Sequence, residues 1–542
     1  MPHSPSPSTQ REALVNCTNV TSEPIHNIAK LPTPPVHGLF KRSRPADDSG
    51  TRLKRLKFSI GESRPVEDER ADGVDSDSSE EEEDNSNTFC AARRKRTIFH
   101  AKNALAMSRP GVTCRPLPLP TRSLLRAYVS SHKTDVFTCN SGRADSFLTP
   151  PYACAFTHAA KRGAVPHLAV ATEQGTVYVW DTSRREELER EPNRVDLDIH
   201  ENGIFDLQWS PDDTSLATCS GDHTTRITDV ATNKLLHILR GHSSTVKTVV
   251  WDPQHDSLLS TGGRDGGIRV WDLRIATRTS HGVTSHASVM AIDGAHGNED
   301  KQATRGRRKK DVPSARSVTS LVYADGRSDR LISSGSFDGM LRLWDLRQAT
   351  PAPQAKSRKK QAAIQPAVMS AFDPTVVEGG RRARGLASIV AGMGPTCGLL
   401  FGLGVDSRVH TYSASTLLPM SPKGTFKHPN MNTNSFWVRL ALSPDGRSIV
   451  SGSSGTDKGA SAFLFDVSQT ALAAPSIFPD TAGVELPGQK GEVGGVDWAQ
   501  DMLATCADDG TVRVWRFDPE KRHQCDSEAD AQWTWTWGVD SL

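Results

Sequence analysis

The side chains that could do chemistry are plentiful, but their spacing argues against most of it. The 542 residues include 18 His, 9 Cys and 63 Asp+Glu. Metal chemistry needs ligands at fixed intervals, and none of Cys17, Cys90, Cys114, Cys139, Cys154, Cys219, Cys397, Cys506 and Cys525 stands in a C-x-x-C pair. An odd number of scattered cysteines makes no disulfide framework and fits a reducing compartment. Cys219, in Leu216-Ala217-Thr218-Cys219, reads as a small core residue. There is no G-x-x-x-x-G-K-[ST] and no H-E-x-x-H. Gly402-Leu403-Gly404 lacks a third glycine at Ser407, and Gly452-Ser453-Ser454-Gly455 has no strand-turn-helix frame around it. The carboxylates fall in turns and in one acidic run, not as an evident facing pair. No catalytic residue, metal ligand or cofactor site is assigned, and no cofactor is expected.

His242, Asp265 and Trp271 belong together for a structural reason. From about residue 150, short β-rich runs recur between turns carrying Gly, Asp and Asn. Their third strands end at Trp180, Thr228, Trp271, Trp344, Tyr412, Phe465 and Trp515, in steps of 48, 43, 73, 68, 53 and 50 residues. Six positions earlier stand Asp222, Asp265, Asp338, Asp406 and Asp509, with Gln174 and Gly459 as departures. An Asp there suits the tight turn between second and third strands. His242 opens its unit after Gly241, so His242, Asp265 and Trp271 are placed to share a buried polar network. These are WD repeats, whose ordinary period is about 40–45 residues. The fold class that follows is all-β, a seven-bladed WD-repeat β-propeller over residues 116–520, with insertions at about 275–316 and 348–384. Ser123 to Val129 is the expected edge strand that closes the ring. Radial repetition leaves few open sheet edges.

The flanks differ. Residues 1–115 carry Ser-Pro and Thr-Pro pairs, the acidic run Asp75 to Asp84, and basic clusters at Lys41, Arg42 and Arg44, at Lys54-Arg55, and at Arg93, Arg94, Lys95 and Arg96. Such a composition buries too little apolar surface to fold, so this region reads as disordered. The basic clusters read either as solvated charge or as a nuclear import signal, which makes the nucleus the expected location. Ser76, Ser78 and Ser79 precede Glu80 to Glu83, an acid-directed phosphorylation context or simply an acidic linker. Residues 521–542 form a short tail holding Trp533, Trp535 and Trp537. Lys+Arg total 65 against 63 acids, which excludes a basic nucleic-acid coat. No run of 18 apolar residues exists and the first residues lack an apolar stretch, so neither a membrane span nor a signal peptide is expected.

The body resembles the denticleless family of substrate receptors for the cullin-4 RING ubiquitin ligase. The likeness is carried by Asn202-Gly203-Ile204-Phe205-Asp206-Leu207, Gly221-Asp222-His223-Thr224 and Thr261-Gly262-Gly263-Arg264-Asp265-Gly266. It continues through Gly294-Ala295-His296 and the basic run that follows, Ser435-Phe436-Trp437-Val438, and Ala504-Thr505-Cys506-Ala507-Asp508-Asp509. The resemblance implies a non-catalytic adaptor that docks on the ligase's propeller adaptor, the damaged-DNA-binding protein subunit. It implies substrates among replication and cell-cycle regulators bound to the sliding clamp. The family's docking box ends in Trp-Asp-x-Arg, which this chain has twice, at Trp271, Asp272 and Arg274 and at Trp344, Asp345 and Arg347. Arginine's planar fork fits such docking better than lysine. The same letters also make an ordinary WD ending with a solvated Arg. Substrate contact is expected on loops bearing Arg264 and Phe337 and at Phe436 and Trp437, although Trp437 reads equally as core. The basic insertions offer non-specific DNA contact or are solvated loops. No clamp-binding peptide is evident, and the tail is shorter than the family's. Two other readings stand beside this one, a nuclear WD scaffold for chromatin or ribosome assembly and a propeller hydrolase with its site in the central channel.

Overall fold

The computed structural model describes residues 122–141, 147–185, 193–297, 316–347, 364–377, 382–420, 424–455, 459–470 and 482–527. The N-terminal basic clusters read as an import signal, the acidic run, most of the basic insertions and the tail tryptophans lie outside them. Among the described residues the strands form seven antiparallel-based sheets, one per blade. Blade three shows how sequence builds one. Its inner strand Val246–Trp251 pairs with Leu258–Gly263, which pairs with Ile268–Asp272, which pairs with the outer strand Met290–Ile292. The second and third strands are joined by Arg264 to Gly267. Asp265 accepts the Gly267 N–H at 3.0 Å, and Gly266 takes φ +75°, a conformation that favours glycine.

Each blade buries its third-strand aromatic between neighbours. Trp180, Trp271, Trp344, Tyr412, Phe465 and Trp515 are all buried, and Thr228 fills the same place in blade two. The network expected at His242 is present, with Thr261 as its missing link. Trp271 Nε1–H donates to Thr261 Oγ1 at 2.9 Å, that hydroxyl meets His242 Nε2 at 2.8 Å, and His242 Nδ1 meets Asp265 at 3.1 Å. The three bonds are all made if neutral His242 carries its proton on Nδ1. The motif recurs. Blade two has His200, Thr218 and Asp222; blade four has His296, Ser333 and Trp344; blade seven has Gln489, Thr505 and Trp515. His296, quoted above as part of an insertion, is thus a framework residue of blade four.

The ring closes where the last blade lacks an outer strand. Tyr128–Val129 and Val136–Thr138 both pair antiparallel with Thr511–Phe517. The expected edge strand Ser123 to Val129 is corrected to two pieces. Arg122–Leu125 is a helical turn that buries Leu125 in the cluster of blades six and seven, and Val136–Thr138 turns Phe137 inward instead. Buried Asp135 accepts from Arg516 Nε at 2.8 Å and fastens the closure. The expected insertions also need correction. Met290–Ile292 and Val368–Met369 are the outer strands of blades three and four, and the hairpin Arg278–Ser280/Val283–His286 extends blade two by parallel pairing to Lys234–Arg240. Counting from the third strand had put each outer strand inside an insertion. At the other end, the helix Pro519–Ser527 starts within the expected propeller and runs past 520. Asp518 caps it by accepting the Lys521 N–H. Cys219 is buried, as expected, with Cys139, Cys154 and Cys506, while Cys397 is exposed.

Thr261→Val should leave the Trp271 N–H and the His242 ring nitrogen without partners. The expected loss is about 1–3 kcal/mol of unfolding free energy, read by urea denaturation. Burial raises the Asp222 and Asp265 carboxyls, but bonds from His200 or His242 and from backbone N–H groups outweigh it and hold both at about 2. An unfolded chain would bind protons there first as pH falls. The stability these groups contribute should therefore be complete above about pH 4 and lost as pH falls towards 2. Asp265→Asn should flatten that slope.

Candidate functional site

Two sites stand at opposite ends of the blades. Strand direction separates them. A residue that follows a third strand lies at one end, and a residue in the turn before it lies at the other, roughly 15 Å away for a five-residue strand.

At the first end are Arg274 and Arg347. Asp272, last in its strand, accepts the Arg274 N–H at 2.9 Å, Nε at 2.9 Å and Nη2 at 2.8 Å. Asp345 does the same for Arg347 at 3.0, 3.1 and 3.1 Å, and Arg347 also lies 3.1 Å from Asp329. Leu273 and Leu346 pack against the core beside them. Each guanidinium is thus held by one edge while its side chain stays 66% exposed, leaving the remaining donors facing outward. Bonding to Arg274 lowers the Asp272 carboxyl, and bonding to Asp272 and Asp345 raises the two guanidiniums. The turn itself is general, since Asp181 and Asp466 accept Ser183 N–H and Ser468 N–H alike. Arginine at that place distinguishes blades three and four. Trp271 and Trp344, grouped with them as docking residues, are buried, so they are corrected to core supports that position the Asp-Leu-Arg turn rather than contacts.

At the second end the inner strands converge on the channel. Six of them carry a register shift at their second residue, at Tyr152, Phe205, Lys247, Thr319, Ala387 and Gly494. A bulge of this kind re-aims its side chain. Tyr152 and Phe205 stack with ring centroids 5.6 Å apart, and Phe205 and Trp437 at 4.7 Å. Lys247 Nζ lies 3.0 Å from the Trp437 ring centroid, a cation–π contact. Arg439 spans the channel from blade six, donating through Nη2 to the carbonyls of Phe205 and Lys247, each at 2.8 Å. Asp206, 4.0 Å from Arg439, is raised by burial despite that neighbour. Beside this stack opens a cavity of about 480 Å³ lined by Lys247, Arg264, Phe436 and Trp437, with hydroxyl and amide groups of Thr245, Ser317, Thr319, Ser336, Asn434 and Ser435.

Three of the four residues expected at a substrate site, Arg264, Phe436 and Trp437, therefore line one cavity. Phe337 sits next to Ser336 at its edge, exposed, with the Arg316 guanidinium 3.7 Å from its ring. Trp437 is 43% exposed, which settles its placement against the core. Sequence reasoning missed Lys247, Arg439, Tyr152 and the packing role of Phe205. Aligning the second residue of each inner strand would have found the first three as one ring or its neighbours.

Residues 191–229, 233–272, 313–345 and 483–516 match the family described as WD domain, G-beta repeat. Over 436 residues the chain is 32% identical to Denticleless protein homolog A of Xenopus laevis, covering 77% of this chain and 54% of that protein. Denticleless protein homolog of Danio rerio is 29% identical over 430 residues, 78% of this chain and 60% of that one. The Homo sapiens protein of the same name is 30% identical over 411 residues, 74% and 50%. The chain spans about half the length of the curated relatives it matches.

Burial first, then the charges of Arg439 and Arg264, lowers the Lys247 ammonium to about 7. The folded protein then bears an unfavourable charge below pH 7, a penalty that fades between pH 7 and about 10.5. Lys247→Met should raise the urea midpoint at pH 6–7, and the gain should shrink by pH 9.

Proposed function

The chain is a WD-repeat protein of the denticleless family, and from that premise we propose that it is a non-catalytic substrate receptor of the cullin-4 RING ubiquitin ligase. It docks through the end bearing Arg274 and Arg347 on the ligase's propeller adaptor, the damaged-DNA-binding protein subunit. It presents partner proteins from the opposite end, across Arg264, Phe337, Phe436 and Trp437. The partners are replication and cell-cycle regulators bound to the sliding clamp, and the place of action is the nucleus, where the clusters at Lys41 and Arg93 would direct it.

One observation carries this reading. Neighbouring blades each hold an exposed guanidinium on its own Asp, so the pair is oriented before any partner arrives. Holding long side chains in place beforehand lowers the entropy cost of association. The separation of the two ends lets one rigid body grip a ligase and a partner together.

Co-purification from replicating cells tests it. The unaltered protein should bring down the adaptor and cullin, and Arg274→Ala/Arg347→Ala should lower adaptor recovery by more than about tenfold, as expected when charged hydrogen bonds are lost. Unchanged recovery would refute the docking assignment and leave a ligase-free scaffold as the better description.

A further inference from the structure

The channel-mouth cavity is unusual in its charge. Among the described residues no carboxylate pairs with Lys247, and its ammonium is held only over the Trp437 and Phe205 rings. Arg264, exposed in its turn, uses its backbone N–H on Thr245, and no side-chain partner for it is present among the described residues. The nearby acids are turned elsewhere. Asp206 accepts from Val249 N–H and faces Arg439, Asp265 serves His242 and Ser243, and Glu492 accepts from Ser435 Oγ at 2.7 Å. Two cations thus line a recess whose other walls are hydroxyls, an amide and two aromatic rings.

Resting on the receptor function proposed above, we propose that this cavity takes a carboxylate side chain of the partner polypeptide between Lys247 and Arg264, with the flanking apolar residues laid on Phe436 and the exposed side of Trp437. Charge complementarity carries the choice of occupant. Lys247 is desolvated beside two guanidiniums and lacks the counter-charge that buried cations ordinarily acquire. A carboxylate supplies it, and Arg264 can pair with the same group through two N–H donors. A monoanion fits better than a phosphate dianion. Glu492 places a second carboxyl behind Ser435, and two wall hydroxyls are already engaged, Thr319 with the Leu386 carbonyl and Ser435 with Glu492. The aromatic walls give the residues beside the carboxylate apolar surface to cover.

The test uses the full chain and three fluorescein-labelled peptides that have one aspartate, one asparagine or one phosphoserine between two phenylalanines. Binding is read by fluorescence anisotropy. The aspartate peptide should bind at least about tenfold tighter than the asparagine peptide, the size of one charge-assisted hydrogen bond. Lys247→Gln and Arg264→Gln should each bring the ratio of aspartate-peptide to asparagine-peptide affinity down to about one. The preference should also weaken between pH 6 and 8.5, because an anion draws a proton onto Lys247, and calorimetry in buffers of different ionisation heat should register the uptake. Equal binding of the aspartate and asparagine peptides, or a preference that survives Lys247→Gln, would overturn the proposal, as would tighter binding of the phosphoserine peptide. Arg264→Gln lies at the exposed turn and provides the answer if Lys247→Gln misfolds. Adaptor recovery is scored separately, by the co-purification described above. Aspartate preference without adaptor would sink the ligase reading and spare the cavity, and the reverse result would do the opposite.

Discussion

A strand edge that is left unpaired exposes a row of backbone donors and acceptors, and this molecule covers the third-strand edge of its last blade by bringing Tyr128–Val129 and Val136–Thr138 onto Thr511–Phe517. Everything functional depends on that closure. The cluster around Phe137, Phe156, Trp180 and Val514 draws side chains from the closing strand, from blade one and from blade seven. Asp497 accepts the Phe156 N–H at 2.8 Å and pairs with Lys161 at 2.9 Å, and Asp135 holds Arg516, so polar bonds cross the same seam. These groups are largely withdrawn from water, where each must be satisfied by its partner. The seam is long-range in sequence, since Asp135 and Arg516 stand 381 residues apart. It forms only when the whole propeller is in place.

Closure fixes the orientation of both blade ends. A third strand that ends in Asp always presents the following turn at one end, and blades three and four use that turn to hold an arginine outward. The inner strands open at the other end. The two ends of the blades are therefore joined by hydrogen-bonded sheet. The His242–Thr261–Trp271 chain and its counterparts lie inside the blades between these ends. Their fixed donor and acceptor order resists sliding of one strand past another, because a one-residue slip would place buried polar atoms against apolar ones.

Much of this was legible in the sequence because it is periodic. The recurring aromatic and the Asp six residues before it mark the third strand and its turn, and the blade count follows. Arg274 and Arg347 were legible for the same reason, as letters added to a repeat. The closing strand was not, because Val136–Thr138 is three residues long and its identity is set by pairing with Thr511–Phe517 at the far end of the chain. The outer strands of blades three and four were hidden by distance from their markers, not by unusual composition. His296 was hidden too, since its role depends on Ser333 and Trp344, which share no local signal with it. Trp437 shows the limit most clearly. A tryptophan beside a valine and ahead of a strand reads as core or surface with equal ease, and stacking on Phe205 of another blade decides it.

The channel mouth follows the same physics one level up. A bulge at the second residue of an inner strand is a small local defect, and alone it would merely turn one side chain. Set in a ring it recurs in six blades, and what the bulges build depends on which residue types occupy which blade. Large rings at Tyr152 and Phe205 fill one side, where Trp437 completes the stack. Thr319, Ala387 and Gly494 leave the other side open. Lys247 stands at the boundary, lining the cavity with its ammonium over the Trp437 and Phe205 rings. Arg439 then prevents collapse, because its guanidinium ties the carbonyls of blades two and three to blade six. Residues from blades one, two, three, four and six thus meet in one place, and the contacts of Trp437 and Arg439 with blades two and three span non-adjacent blades. A channel mouth built this way can vary by exchanging one bulge residue at a time while the sheets that carry it stay unchanged.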